Sequence, residues 1–162
     1  MRIQIIESAN WADILRIQAQ SYAADILEDE AVLRSKWASA PQHNVVCVDD
    51  HNTILGYLLN HPWHTEEPPG LHENLQAGLP IKSWHLHDLA ISPVARGKGV
   101  ANLLVQHVMD NVQRMNVASV SLIAVQGSTP FWSRYGFEAQ AASAATCESY
   151  GGEAVWMKRR FL

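Results

Sequence analysis

The chain has 162 residues, 48% hydrophobic and 17% charged, with 12 Lys/Arg against 16 Asp/Glu for a net charge of −4. That is the size and balance of one globular domain with a full core. It excludes a disordered chain and, without a basic patch, gives nucleic acid nothing to bind. No apolar run is as long as a membrane span, and Cys47 in an apolar strand and Cys147 in a polar stretch make no disulfide framework, so the cytosol is the expected compartment.

In chain order, Met1-Arg2-Ile3 opens a strand rather than a secretory leader, and the strand runs over Arg2–Ile6. Ser8 is placed to cap an amphipathic helix in which Trp11, Ile14, Leu15 and Ile17 recur at helical spacing to about Tyr22. A second helix is expected over Glu28–Ser39, with Val32, Leu33 and Trp37 inward and Pro41 ending it. Asn44–Val48 and Thr53–Leu59 read as strands joined by the hairpin turn Asp49-Asp50-His51-Asn52. A long loop follows from His61 to Pro80, rich in Pro and Gly; loops of that length in a compact domain are usually functional.

The stretch His85–Met109 is the centre of the chain. It starts as a strand, with Leu86, Leu89, Ala90 and Ile91 interleaved with two histidines, and Ser92-Pro93 ends it. Arg96-Gly97-Lys98-Gly99 then leads into a helix with Ala101, Leu104, Val105, Val108, Val112 and Met115 on one face. Strand, glycine turn and helix start together form an anion cradle: the backbone can approach a ligand, the first helical N–H groups are unpaired, and the dipole is positive there. Arg96 and Lys98 add full charges, so the turn binds phosphate. It has neither the glycine spacing of a dinucleotide fold nor a GxxxxGK[ST] loop.

Downstream, Ser119–Val125 reads as a buried strand, and Ser128 caps a short helix from about Thr129 to Tyr135 that Gly136 breaks. Phe137 starts another strand, Ala139–Ala145 is weakly determined, and Ala154–Phe161 closes the chain as a strand. Charge is unevenly spread. Residues 1–80 carry 4 Lys/Arg against 11 Asp/Glu, and residues 81–162 carry 8 against 5, which suits an anionic cofactor on the second half and a cationic acceptor on the first. Ordinary fluctuation of surface charge gives the same asymmetry.

Arg96, Gly99 and Ala101 make Arg-x-x-Gly-x-Ala after a strand ending near Ile91, with a long helix behind it and Tyr135-Gly136-Phe137 one helix and one strand later. This resembles the acetyl-CoA pyrophosphate loop of the GCN5-related N-acetyltransferase (GNAT) superfamily. The resemblance implies a single α/β domain over residues 1–162, with a mixed central sheet of about seven strands flanked by about four helices. It implies acetyl-CoA as cosubstrate, with the backbone of Leu89, Ala90 and Ile91 pairing the pantetheine arm. Arg96, Gly97, Lys98, Gly99, Val100 and Ala101 would hold the pyrophosphate. Within the superfamily, Trp84-His85-Leu86-His87-Asp88-Leu89-Ala90 and Pro130–Phe137 resemble the arylalkylamine (serotonin) N-acetyltransferases. That closer likeness covers roughly residues 54–138.

Acetyl transfer to an amine needs a free lone pair, yet an alkylamine with a pKa near ~10 is mostly protonated at neutral pH. Histidine is matched to take that proton. His85 and His87 are two apart on a strand, so they leave one face and make a proton-removal path if that face borders the acceptor; otherwise they are strand histidines satisfied by hydrogen bonds, with Asp88 as orienter or surface charge. In many relatives a tyrosine four residues before the glycine of the Gly-Phe pair protonates the leaving thiolate. Here that position is Trp132, and Tyr135 three residues on is the nearest substitute. A thiolate with a pKa near ~8.5 also leaves without an acid. Trp63, Trp84, Tyr22 and Trp37 are candidate acceptor walls, with Glu66, Glu67 and Glu73 attracting a cation; each equally reads as core or solvated loop.

The expected reaction is acetylation of a primary amine, with an arylalkylamine-like small molecule as the candidate acceptor, by direct attack in a ternary complex. Rival acceptors are an aminoglycoside, a polyamine or a protein amine, and the rival class is a non-catalytic acyl-CoA-binding module. A metal on His85 and His87 with His61 and His64 is disfavoured, since a flexible loop separates the pairs and no Cys is near. No metal, membrane or nucleic-acid partner is therefore expected, and the sequence leaves a homodimer open.

Overall fold

The computed structural model describes residues 1–141 and 144–161. Its elements are β1 (Arg2–Ile5), α1 (Trp11–Ser21), α2 (Glu30–Ser39), β2 (Val45–Val48), β3 (Ile54–Trp63), β4 (Ser83–Ile91), α3 (Val100–Arg114), β5 (Ser119–Ala124), α4 (Thr129–Ser133), β6 (Glu138–Ala139), α5 (Ala144–Ser149) and β7 (Val155–Arg160). The seven strands form one mixed sheet in the order β1-β2-β3-β4-β5-β7-β6, as expected of an α/β GNAT fold. The fifth helix starts at the end of the weakly determined Ala139–Ala145 stretch and runs beyond it; Ala142 and Ser143 of that stretch lie outside the described residues.

Two apolar layers sandwich the sheet. On one face α3 buries Val100, Leu104, Val105, Val108, Met109 and Val112 against Leu58, Leu86, Val120 and Leu122. On the other, α1 buries Trp11, Ile14 and Ile17 against Tyr57, Leu59 and Ala90. Trp37, a proposed acceptor wall, packs edge-on to Trp11 in this second layer, and Trp84 bonds Asn60 by its indole N–H at 2.7 Å, so both are structural.

Three departures from the sequence reading shape the site. β3 runs four residues past Leu59, through His61 and Pro62 to Trp63. A proline fits there because β2 pairs β3 only as far as Leu58; Asn60 N–H on that same edge already turns to the Asn44 side chain, 2.6 Å away. Helix α2 starts at Glu30 with Asp29 extended before it, which leaves Glu28 outside the helix. Lastly, β4 carries a bulge: Leu59 faces Asp88 while Asn60 faces Leu86, so His87 is the extra residue.

The bulge resets which face each side chain takes. His85 and His87 share the α1/α2 face, as expected, but Asp88 and Ala90 then join them, and Leu89 turns to the α3 side with Leu86. It also bends β4. Parallel pairing with β5 covers only Trp84–Leu86 against Val120–Leu122, after which the two strands part. Gly56 lets β3 follow closely here, since a Cβ would come within 2.7 Å of Ile91 Cδ1 and 2.9 Å of the Ala90 carbonyl.

Candidate active site

The parted strands open a cleft of about 530 Å³. Leu89, Ala90, Ile91 and Arg96 line it on one side, Ile123, Gln126 and Ser128 on the other, with Phe131 and Trp132 from α4. The same cleft continues to Ile26, Glu28, Leu71, His87, Asp88 and Tyr150. Beside it, a pocket of about 770 Å³ is formed by Arg96, Gly97, Gly99, Val100 and Ala101 together with Asn102, Phe131 and Tyr135.

This second pocket has the anatomy of the expected phosphate cradle. Gly97 and Gly99 are left-handed, at φ 76° and 82°, and a Cβ at either would meet nothing within 4 Å, so the space above the turn is open. The first intrahelical bond of α3 runs from Leu103 N–H to Gly99 O at 3.1 Å, leaving the N–H groups of Val100, Ala101 and Asn102 without a helical acceptor. Those donors and Arg96 fit a pyrophosphate. Lys98 is exposed and lines neither pocket. On the β4 wall of the main cleft, the Leu89 carbonyl accepts the Tyr22 hydroxyl at 2.6 Å.

Tyr135 stands in the cradle rather than in the main cleft, its hydroxyl donating to Asn102 Oδ1 at 2.8 Å. Burial raises its pKa. Trp132 is the α4 side chain that lines the cleft at the position many relatives give to tyrosine.

At the far end the chemistry is denser than the sequence suggested. His87 Nε2 is hydrogen-bonded to Glu28 Oε1. Glu28 Oε2 accepts the His72 backbone N–H at 2.8 Å and faces Lys36 Nζ at 3.7 Å. Burial pushes the Glu28 carboxyl up, but His87, Lys36 and the His72 N–H outweigh it and bring the pKa down to about 2. An ionised carboxylate only accepts, so His87 keeps a proton on Nε2, and whenever the ring is neutral its lone pair is on Nδ1. That Nδ1 is buried with no hydrogen-bond partner among the described residues.

Asp88 accepts the Tyr57 hydroxyl on Oδ2 at 2.7 Å, and its Oδ1 is likewise buried without a partner. Burial raises its pKa. Adjacent residues of the cleft wall thus present two bare acceptors.

His85 is held differently. Its Nδ1 lies 3.0 Å from Ser121 Oγ, it does not line the cleft, and burial drives its pKa well down. His61, on the same face of β3, is also fully buried, and burial lowers it to about 3. These two rings make a stability prediction. The unfolded chain protonates both near the ordinary value of ~6.5, and the folded chain does not. Their stabilisation is therefore complete above that pH and is lost as pH falls toward about 3. The depressed Glu28 adds a further loss between the ordinary carboxylate range and about 2, which the raised Asp88 partly offsets. Melting temperature should decline steadily below about pH 6.5, by the equivalent of a few kcal/mol in total; a flat profile down to about pH 5 would contradict buried neutral rings.

The segment 64–82 between β3 and β4 roofs this end. Glu66 accepts Lys158 Nζ at 2.8 Å, the Pro69 carbonyl accepts the Tyr150 hydroxyl at 3.0 Å, Leu71 N–H reaches Ser149 Oγ at 3.2 Å, and the Glu73 carbonyl accepts Lys36 Nζ. Glu66 and Glu73 thus tie down the roof, and Trp63 donates to the Glu67 carbonyl at 2.6 Å without reaching the cleft. Glu28, His61 and Tyr150 were missed as site residues. The adjacent polar pair His87-Asp88 inside an apolar strand was the one local sign of the bulge that gathers them.

No group of three or more His, Cys, Asp or Glu among the described residues is arranged to hold a metal ion, and none of their helices is long and apolar enough to cross a membrane.

Several solved structures share this architecture. Ard1 from Thermoplasma volcanium is 17% identical with a TM-score of 0.75, over 99% of this chain and 97% of that one. A chain of the NatC complex bound to Gag peptide and CoA is 17% identical at a TM-score of 0.77, over 99% and 98%. YhbS from Escherichia coli, in complex with CoA, is 22% identical at 0.67, over 98% and 80%. Likeness at these identities speaks for the fold alone. No curated protein matches the chain, and the arylalkylamine resemblance rests on its short motifs. Residues 11–137, which hold the parted strands, the cradle and both bare acceptors, match the acetyltransferase (GNAT) family, and to that family the chain belongs.

Proposed function

We propose that the protein transfers an acetyl group from acetyl-CoA to a small primary amine by direct attack in a ternary complex. The observation that carries this reading is the pair of buried acceptors without a hydrogen-bond partner, His87 Nδ1 and Asp88 Oδ1, on adjacent residues that line the cleft. An amine arrives as an ammonium with several N–H donors, and both acceptors suit it. Glu28 and Asp88 favour the cation, and Ile26, Leu71, Tyr22 and Tyr150 offer its carbon part an apolar surround.

Acetyl-CoA supplies the activated thioester. The chain's own work is to hold it along Leu89–Ile91 and the Arg96–Ala101 turn, and to remove the amine's proton. Glu28 fixes the His87 tautomer so that Nδ1 is the base, as carboxylates do for catalytic histidines elsewhere. Trp132 is no acid, so the thiolate leaves as such and is protonated by solvent.

The fold neighbours include one bound to a peptide, which keeps a protein α-amine as the second reading. Leu71 of segment 64–82 lines the cleft beside Glu28, His87 and Asp88, and that apolar enclosure favours the small amine. Thiol release from acetyl-CoA on addition of small primary amines, with the acetylated product identified by mass spectrometry, tests the reading. CoA binding with no transfer to any amine or peptide would leave a binding module.

A further inference from the structure

β3 brings a third imidazole to the site, and the mechanism above leaves it idle. The ring centre of His61 lies 5.4 Å from that of His85 and 6.0 Å from that of His87. Its Nδ1 is 2.9 Å from the Pro62 carbonyl oxygen. A carbonyl only accepts, so Nδ1 carries the proton and Nε2 the lone pair. That Nε2 is buried and has no hydrogen-bond partner among the described residues. His87 is set the opposite way, with Nε2–H on Glu28 and Nδ1 bare.

Two neighbouring rings therefore each bury an unused acceptor. Buried acceptors without a donor are costly, and two acceptors cannot satisfy each other. One added proton changes this. With a proton on His87 Nδ1 the pair has a donor and an acceptor, which a single water can join.

We propose that His61 is a positioning residue for proton removal: when His87 Nδ1 takes the proton of the amine, His61 Nε2 accepts from the new N–H through one water and holds the charge inside the site. This rests on His87 being the base. In the step, the N–H bond of the ammonium breaks, its electron pair stays on nitrogen for attack, and the proton forms an N–H bond on His87. His61 gains a hydrogen bond and no proton; burial and the charge on His87 keep it neutral.

The groups around the pair suit this. Glu28 before α2 supplies the countercharge, and Asp88 and His85 on β4 share the face. Tyr22 at the end of α1, Tyr57 on β3 and Tyr150 after α5 are neutral donors, with pKa values raised by burial. Lys36 on α2 opposes the new charge, but its Nζ is bonded to the Glu73 carbonyl and faces Glu28.

Nitrogen-15 NMR of the imidazoles in the substrate-free chain is the first test. His61 protonated on Nδ1 and His87 on Nε2 are expected; His61 protonated on Nε2 overturns the proposal whatever the enzyme's activity. The second test uses His61→Phe, which keeps the volume and removes the lone pair. Acetyl-CoA affinity should hold, while the acid limb of kcat/KM moves to lower pH by about one unit and the plateau falls about tenfold, the worth of one hydrogen bond to a charged group. His61→Gln restores an acceptor and should recover most of the shift. A limb that stays put while only the melting temperature drops makes His61 structural and overturns the proposal. Failure of the base reading shows separately, as an undiminished rate in His87→Ala although the unsubstituted chain shows both expected tautomers.

Discussion

His87→Ala should lower kcat/KM for amine acetylation by ~10²–10⁴-fold while leaving acetyl-CoA affinity nearly unchanged. The loss is confined to turnover because His87 belongs to the acceptor end of the cleft, away from the Arg96–Ala101 cradle. Glu28→Gln tests the same base through its partner. An amide can donate to Nε2, which drives the ring proton to Nδ1 and removes the lone pair the reaction needs; a loss of at least ~10² is expected, with little change in KM for acetyl-CoA. His85→Ala should cost less activity, since that ring is bonded to Ser121 and does not line the cleft. The His87 and Glu28 changes act on one proton, so the double variant should be barely slower than His87→Ala alone. Steady-state rates across pH for the four proteins check this, and a His87→Ala enzyme with the wild-type profile would remove the base from this position.

Gly99→Asp should abolish acetyl-CoA binding. The position is left-handed at φ 82° and directly precedes α3, so a side chain strains the turn. The new carboxylate also enters a cradle built of helical N–H groups and Arg96, where it competes with the pyrophosphate and repels it. Ligand binding to the folded state alone raises the melting temperature by mass action. Acetyl-CoA should therefore stabilise the wild type and not the variant. A folded Gly99→Asp protein that still gains stability from acetyl-CoA would mean that the phosphates lie elsewhere.

Elements with a strong local signal were legible from the residues alone. α3 has six buried apolar side chains at helical spacing, and the Arg96–Gly99 turn declares itself by composition. What was lost came from tertiary context. Pro62 reads as a strand breaker in the sequence, which places His61 in a loop, and only the early end of β2 makes room for it within β3. Glu28 falls inside the helix that the sequence predicts, but Asp29, in extended conformation, sets the start two residues later. The bulge at His87 has no periodicity of its own, yet it brings Asp88 onto the histidine face and parts β4 from β5. Tyr150 meets the cleft only because the 64–82 segment folds back to it. Strands and helices were thus readable one at a time, whereas the acceptor end is a product of three loops converging.

The acceptor itself can be tested in one vessel. The protein is mixed with isotopically labelled acetyl-CoA and an equimolar pool of small primary amines and short peptides with free N-termini, and the labelled products are resolved by mass spectrometry. With Leu71 of segment 64–82 lining the cleft beside His87 and Asp88, the label should appear on small amines and be nearly absent from the peptides. Label on the peptides, with the small amines untouched, would contradict a small-amine acceptor.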